Sequence, residues 1–188
     1  MLKLILASGS PRRKKILEDM NLDFDIITSN YDETLETDDF SYDKIEDLAT
    51  QKCLDVVRRI DNNSLVLAAD TVVVLHNKIL GKPHTKENAF RMLKELSGQT
   101  HMVVTSICAI NTKTNRAATI STTSYVRFTE WTDDMIKDYI DKYLPLDKAG
   151  SYGIQDTGFD FATKTEGELD NVIGFPVKLF EKLYNSIQ

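Results

Sequence analysis

The chain has 188 residues, 41% hydrophobic and 28% charged, which suits one folded unit with its own core and excludes a disordered or fibrous chain. Its formal net charge of −6 argues against nonspecific binding to nucleic acid, which needs a basic face. The longest apolar run, residues 65–75, is broken by Asp70 and falls far short of the ~20 residues that span a bilayer, so no membrane partner is expected.

Residues 3–7 read as a strand. They are too short for the apolar region of a signal peptide and run on into Pro11-Arg12-Arg13-Lys14-Lys15, so no export is expected. A helix follows over 11–20, with Ser10 as N-cap, Pro11 as first helical residue and Ile16, Leu17 and Met20 on its inner face. Residues 43–59 read as a second helix, because Ile45, Leu48, Ala49, Val56 and Val57 recur at helical spacing. The two cysteines, Cys53 and Cys108, lack metal-ligand spacing and secretory context, so buried reduced thiols in the cytoplasm are expected.

The run 65–75 suits either one strand buried on both faces or a pair of strands around Asp70-Thr71, and residues 76–78 turn the chain. Thr85 caps a helix over 86–96, which Ser97-Gly98 stops. Strands over 101–110 and 117–128 pair as a hairpin across residues 111–115. Thr132-Asp133-Asp134 opens a helix to about residue 143, ended by Pro145. Residues 147–176 are glycine-rich and read as irregular, and a last helix runs from 176 to about 187. The order of elements implies a single α/β domain over 1–188, with a central mixed sheet flanked by helices.

Several residues sit uneasily in that frame. Arg12, Arg13, Lys14 and Lys15 crowd the positive end of a helix dipole, which is relieved by a phosphate held on free N–H groups, on the Ser8 or Ser10 hydroxyl and on a bidentate arginine. A solvated basic helix start explains this segment equally well. Asp70 interrupts an apolar run where an unpaired carboxylate is costly; at a strand end a metal ion, a cation or water would relieve it, and an exposed turn is the alternative. Thr71 beside it can contact a ligand or serve the strand.

Lys52 falls on the apolar stripe of its helix, where snorkelling is the expected behaviour and reaching into a site the alternative. Lys82, in Gly81-Lys82-Pro83, is a site residue or an ordinary surface lysine on equal terms. Tyr31-Asp32-Glu33-Thr34 offers oxygen ligands for a hard divalent cation, or simply solvates the surface. Gln155 lies among glycines that admit a close ligand, and its amide suits reading a base edge or bracing the loop. The three histidines form neither a metal site nor a hydrolytic triad. These residues suggest metal-assisted phosphate chemistry.

Taken together, Leu6-Ala-Ser-Gly-Ser-Pro-Arg-Arg13, Ala68-Ala-Asp-Thr71, Gly81-Lys-Pro83, the region from Leu96-Ser-Gly98 to His101-Met-Val-Val-Thr105, Asp147-Lys-Ala-Gly-Ser-Tyr-Gly-Ile-Gln155 and Asn171-Val-Ile-Gly-Phe-Pro176 closely resemble the Maf-type nucleoside triphosphate pyrophosphatases, first named as septum-formation inhibitors. The resemblance spans nearly the whole chain. It implies cleavage between the α and β phosphates with a divalent metal, Mg or Mn, giving a nucleoside monophosphate and pyrophosphate. By the same match Asp70 is the proton acceptor, a metal ligand or both, Glu33 stands near the metal, and Ser8, Arg12 or Arg13, Lys52 and Lys82 hold the triphosphate. Arg13, Thr71 and Gln155 match positions that track substrate preference and point to the dTTP and UTP branch. A homodimer is also implied. Asp156 stands where the family commonly has glycine, and Phe175 replaces a usual leucine; both bear on local loop shape. A nucleotide-binding regulator of cell division that does not hydrolyse its ligand shares every phosphate-binding feature and differs in having no need of Asp70.

Overall fold

A computed structural model describes residues 2–32, 39–61 and 63–187. Strands β1 (Lys3–Leu6), β2 (Phe24–Ile26), β3 (Ser64–Leu75), β4 (Lys78–Leu80), β5 (Thr100–Asn111), β6 (Arg116–Phe128) and β7 (Ala162–Glu166) form one sheet. Its order is β2-β1-β3-β5-β6-β7, with β4 also paired to β3. Pairing is parallel between β1 and its two neighbours and antiparallel elsewhere. Helices α1 (Pro11–Asp19), α2 (Tyr42–Val57), α3 (Lys86–Leu96), α4 (Asp133–Tyr143), α5 (Leu169–Ile173) and α6 (Val177–Ile187) flank it, giving the expected α/β class with a mixed sheet.

Alternation along β3 distributes its side chains between two faces. Val66 and Ala68 join Cys108 of β5 against Ala49, Cys53 and Val56 of α2. Leu65, Leu67 and Ala69 face the other way, with Leu17 of α1 and Phe180 and Leu183 of α6. Farther along, Val73 and Leu75 enter an aromatic-rich core that holds Leu93 of α3, Ile136 and Tyr139 of α4, and Trp131. Both cysteines are buried free thiols, as expected.

The docking of α2 also has a polar component. Tyr42 Oη meets Thr123 Oγ1 at 2.8 Å, Glu46 Oε1 accepts from Ser121 Oγ at 2.6 Å, and Thr50 Oγ1 meets Thr119 Oγ1 at 2.8 Å. Four helical residues rise about 6 Å and two strand residues about 6.6 Å, so every fourth residue of α2 stays in step with every second residue of β6. This ladder fixes the helix along its axis as well as in rotation.

One alternative is decided and one expectation needs correction. Residues 64–75 are one continuous strand, because β5 pairs with it from Leu65 to Val74 and bridges the polar pair in its middle. The segment 147–176 is not irregular throughout: it contains β7 and α5. The strand Ala-Thr-Lys-Thr-Glu lies mostly exposed at a sheet edge and so carries no alternating apolar signal, while five residues of α5 are too few to show a helical period. Among the described residues no helix is long and apolar enough to cross a membrane.

Leu93 is fully buried beneath α3, so Leu93→Ala is expected to lower unfolding free energy by ~2–5 kcal/mol in urea titration. A loss below ~1 kcal/mol would contradict the packing of α3 on this core.

Candidate active site

One edge of β3 is covered by two different strands. β1 pairs with it as far as Leu67, and β4 pairs from Val73 onward. Between those points this edge has no strand partner among the described residues, and Asp70 and Thr71 lie in the interval. A cavity of about 510 Å³ opens beside them, within the range of small-ligand sites. Ser8, Arg12, Arg13, Lys52, Asp70, Thr71, Lys82 and Gln155 all line it, so residues scattered from position 8 to 155 are brought together.

Asp70 points to the α2 face of the sheet. Lys52 Nζ donates to its Oδ1 at 2.6 Å, with the lysine 4% and the aspartate 7% exposed. The expectation that Lys52 snorkels is therefore overturned: the stripe of α2 that carries it lies flat on β3, and the ammonium meets a carboxylate before it can reach water. Asp70 is likewise mid-strand, neither at a strand end nor at an exposed turn, and a cation relieves its burial.

The turn between β1 and α1 forms another wall. Ser10 caps α1 by accepting from Arg13 N–H at 3.5 Å, and Pro11 occupies the first turn, as expected. No acidic residue lies in that first turn, so the helix dipole adds to the local positive potential. Arg13 folds back from the helix: Nε donates to the Gly174 carbonyl at 3.0 Å, Nη1 to Ser8 Oγ at 3.1 Å and Nη2 to Thr71 Oγ1 at 3.1 Å. Thr71 Oγ1 also meets Thr105 Oγ1 at 2.9 Å. Arg13 thus ties the α1 turn, the middle of β3 and the end of α5 into one frame. Lys14 and Lys15 pair with Glu18 and Asp19 on the exposed side of α1.

Arg12 lies 3.8 Å from Asp147, which is also paired with Lys148. Burial pushes the Asp147 carboxyl up, but its hydrogen bond to Lys148 and the charges of Lys148 and Arg12 hold it below the ordinary aspartate value. Residue-type reasoning passed over Asp147 and Lys148 as site residues, although both belong to the motif stretch ending at Gln155; adjacent opposite charges on a loop carry no distinctive pattern. Five cationic side chains line the cavity against the carboxylates of Asp70, Asp147 and Asp156. A chain with net charge −6 therefore presents a locally cationic site, suited to an anionic ligand. Glu33 lies outside the described residues.

Behind the cavity, His101 Nε2 meets the hydroxyl of Tyr152, itself a lining residue, at 2.8 Å. Burial pulls the His101 pKa down from 6.5 to about 4.

A family model described as "Maf-like protein" matches residues 3–187. A dTTP/UTP pyrophosphatase of Clostridium perfringens strain SM101 is 44% identical over 188 residues, covering 98% of this chain and 97% of that protein. One from Acetivibrio thermocellus is 43% identical over 183 residues, covering 94% and 91%. Among solved structures, the Staphylococcus aureus Ham1 protein has a TM-score of 0.57 at 13% identity, covering 98% of each chain. A nucleoside-triphosphatase / dITP/XTP pyrophosphatase of Mycobacterium abscessus has a TM-score of 0.51 at 14% identity, covering 100% of this chain and 99% of that one. These two likenesses concern the fold.

Removing either partner of the Lys52 and Asp70 pair leaves a buried charge uncompensated. Lys52→Met is expected to cost about 3–5 kcal/mol in chemical unfolding, and the double variant Lys52→Met/Asp70→Leu less than the sum of its singles. Strict additivity would contradict the pairing. A second measurement concerns pH. Unfolded His101 takes up a proton near pH 6.5 and folded His101 only near 4, so the unfolded state binds more protons in between and stability falls as pH drops through that window. Thermal melts of His101→Gln from pH 7 to 4.5 are expected to show a shallower fall than the parent; an identical slope would contradict it.

Proposed function

The chain belongs to the Maf-like protein family, and from that premise we propose that it hydrolyses nucleoside triphosphates, dTTP and UTP foremost, to the monophosphate and pyrophosphate. The observation that carries this reading is the cationic cavity at the open edge of β3, with the paired Asp70 carboxylate among its lining groups. A triphosphate supplies the negative charge that the cavity and the α1 terminus lack. The full span 1–188 acts here as one catalytic domain.

In this mechanism Ser8, Arg12, Lys52 and Lys82 hold and neutralise the phosphates. Arg13 serves chiefly as frame, since Nε, Nη1 and Nη2 all donate to the protein and thereby fix Ser8 and Thr71. A water attacks the α-phosphorus, the bond from that phosphorus to the bridging oxygen breaks, and pyrophosphate leaves with the bond's electrons. Asp70 accepts the proton of the attacking water, with Lys52 fixing the direction of one carboxylate oxygen. Gln155 faces the base: uracil and thymine present two carbonyl acceptors flanking an N–H, and a carboxamide offers the matching donor and acceptor.

A divalent cation fits this site only in company with the substrate. Among the described residues no group of three His, Cys, Asp or Glu side chains can hold a metal. Nucleotide-bound Mg²⁺ commonly takes one or two protein carboxylates and completes its shell with phosphate oxygens and water. Asp70 would provide such a carboxylate, and the sequence adds Glu33. Bound there, the ion neutralises phosphate charge. The reading places the protein in the cytoplasm, acting on free nucleotide without nucleic acid or membrane, and includes the homodimer implied by family resemblance.

Incubation with dTTP or UTP and Mg²⁺ or Mn²⁺ is expected to release pyrophosphate, and Asp70→Asn to lower kcat by ~10²–10⁴-fold while nucleotide binding persists. Orthophosphate as sole inorganic product would contradict the reaction. Tight binding with no turnover would favour the regulator instead.

A further inference from the structure

Residues 152–156 form one wall of the cavity, and their shape is set from outside it. Tyr139, on α4, is not a lining residue. Its hydroxyl donates to Asp156 Oδ2 at 2.6 Å and accepts from the Gly153 N–H at 3.0 Å. The Asp156 N–H closes the turn on the Gly153 carbonyl at 2.9 Å. A single phenolic oxygen therefore holds both ends of a turn whose middle residues are Ile154 and Gln155.

The turn leaves little slack. A Cβ at residue 153 would stand 2.9 Å from Asp156 Oδ2, so the inward-turned carboxylate requires glycine opposite it. The next residue is held as well, because Tyr143 donates its hydroxyl proton to the Thr157 carbonyl at 2.6 Å. Tyr139 is itself fully buried, with Trp131, Phe159 and Phe161 ring centroids 5.4, 5.1 and 5.2 Å away. Burial, with the neighbouring Asp156 carboxylate, pushes its hydroxyl pKa well up, so it remains a donor.

We propose that Tyr139 and Asp156 are a positioning pair that sets where the Gln155 amide meets the base, and so sets discrimination between pyrimidines. This rests on the reading of Gln155 as the base-facing residue. Thymine offers a carbonyl acceptor at C4 where cytosine offers an amino donor, so an amide held in one place serves one of them. An amide on a slack turn can shift or rotate, exchanging donor for acceptor, and so serves both.

The test compares kcat/KM for dTTP and dCTP in the parent and in Tyr139→Phe, Asp156→Ala, Asp156→Asn and Gln155→Ala. Tyr139→Phe and Asp156→Ala are expected to lower the preference for dTTP about tenfold, the effect of losing one well-placed hydrogen bond. In Tyr139→Phe the loss should appear mainly in KM. Asp156→Asn, whose carbonyl still accepts from Tyr139, should keep the preference. If Gln155→Ala lowers the preference while Tyr139→Phe and Asp156→Ala leave it intact, or lower kcat equally for both nucleotides, the positioning role is overturned and the Gln155 reading stands. If Gln155→Ala itself leaves the preference unchanged, the Gln155 reading fails and the proposal falls with it.

Discussion

Lys52 and Asp70 are both buried in the middle of the molecule, and neither charge is tolerable there alone. Their contact at 2.6 Å joins the long helix α2 to the central strand β3 at the point where the cavity opens. A pair of apolar residues would pack as well and cost less desolvation. Its presence beside a cationic cavity is thus better explained by chemistry than by stability. The hydroxyl ladder between α2 and β6 serves the same end. By holding α2 in step with the sheet, it presents Lys52 opposite Asp70 without slack.

The cavity itself follows from sheet topology. β1 stops at Leu6 and hands the chain to a turn and a helix, while β4 covers β3 again only from Val73. The uncovered stretch of β3 presents Asp70 to one face and Thr71 to the other. Arg13 bridges from α1 to Thr71 and to Gly174, so three distant segments share one guanidinium. The positive φ of +110° at Gly174 lets the chain end α5 there and leaves its carbonyl facing Arg13. The α1 turn, the 147–156 loop and the end of α5 then close around the open edge.

Much of this was legible in the sequence because the signals were local. Ser10-Pro11, Thr85 and Thr132 announced helix starts that the structure places within a residue or so, and the 3.6 period of α2 announced its buried face. Asp70 stood out as a charge in an apolar run. What escaped depended on partners distant in sequence. Lys52 looked like a snorkelling lysine because its partner lies 18 residues away on another element. The edge strand β7 lacked an apolar face, and α5 was shorter than two helical turns. Tyr139 carried no signal of its own, since nothing near it in sequence shows that its hydroxyl reaches Gly153 and Asp156.

The central claim is that water attacks the α-phosphorus of a triphosphate held in this cavity, displacing pyrophosphate. Turnover of dTTP in water enriched in oxygen-18, with the products separated and weighed by mass spectrometry, tests it most directly. One labelled oxygen in the thymidine monophosphate and none in the pyrophosphate is the expected result. Label in the pyrophosphate, or in released orthophosphate, would place the attack on another phosphorus and contradict the account.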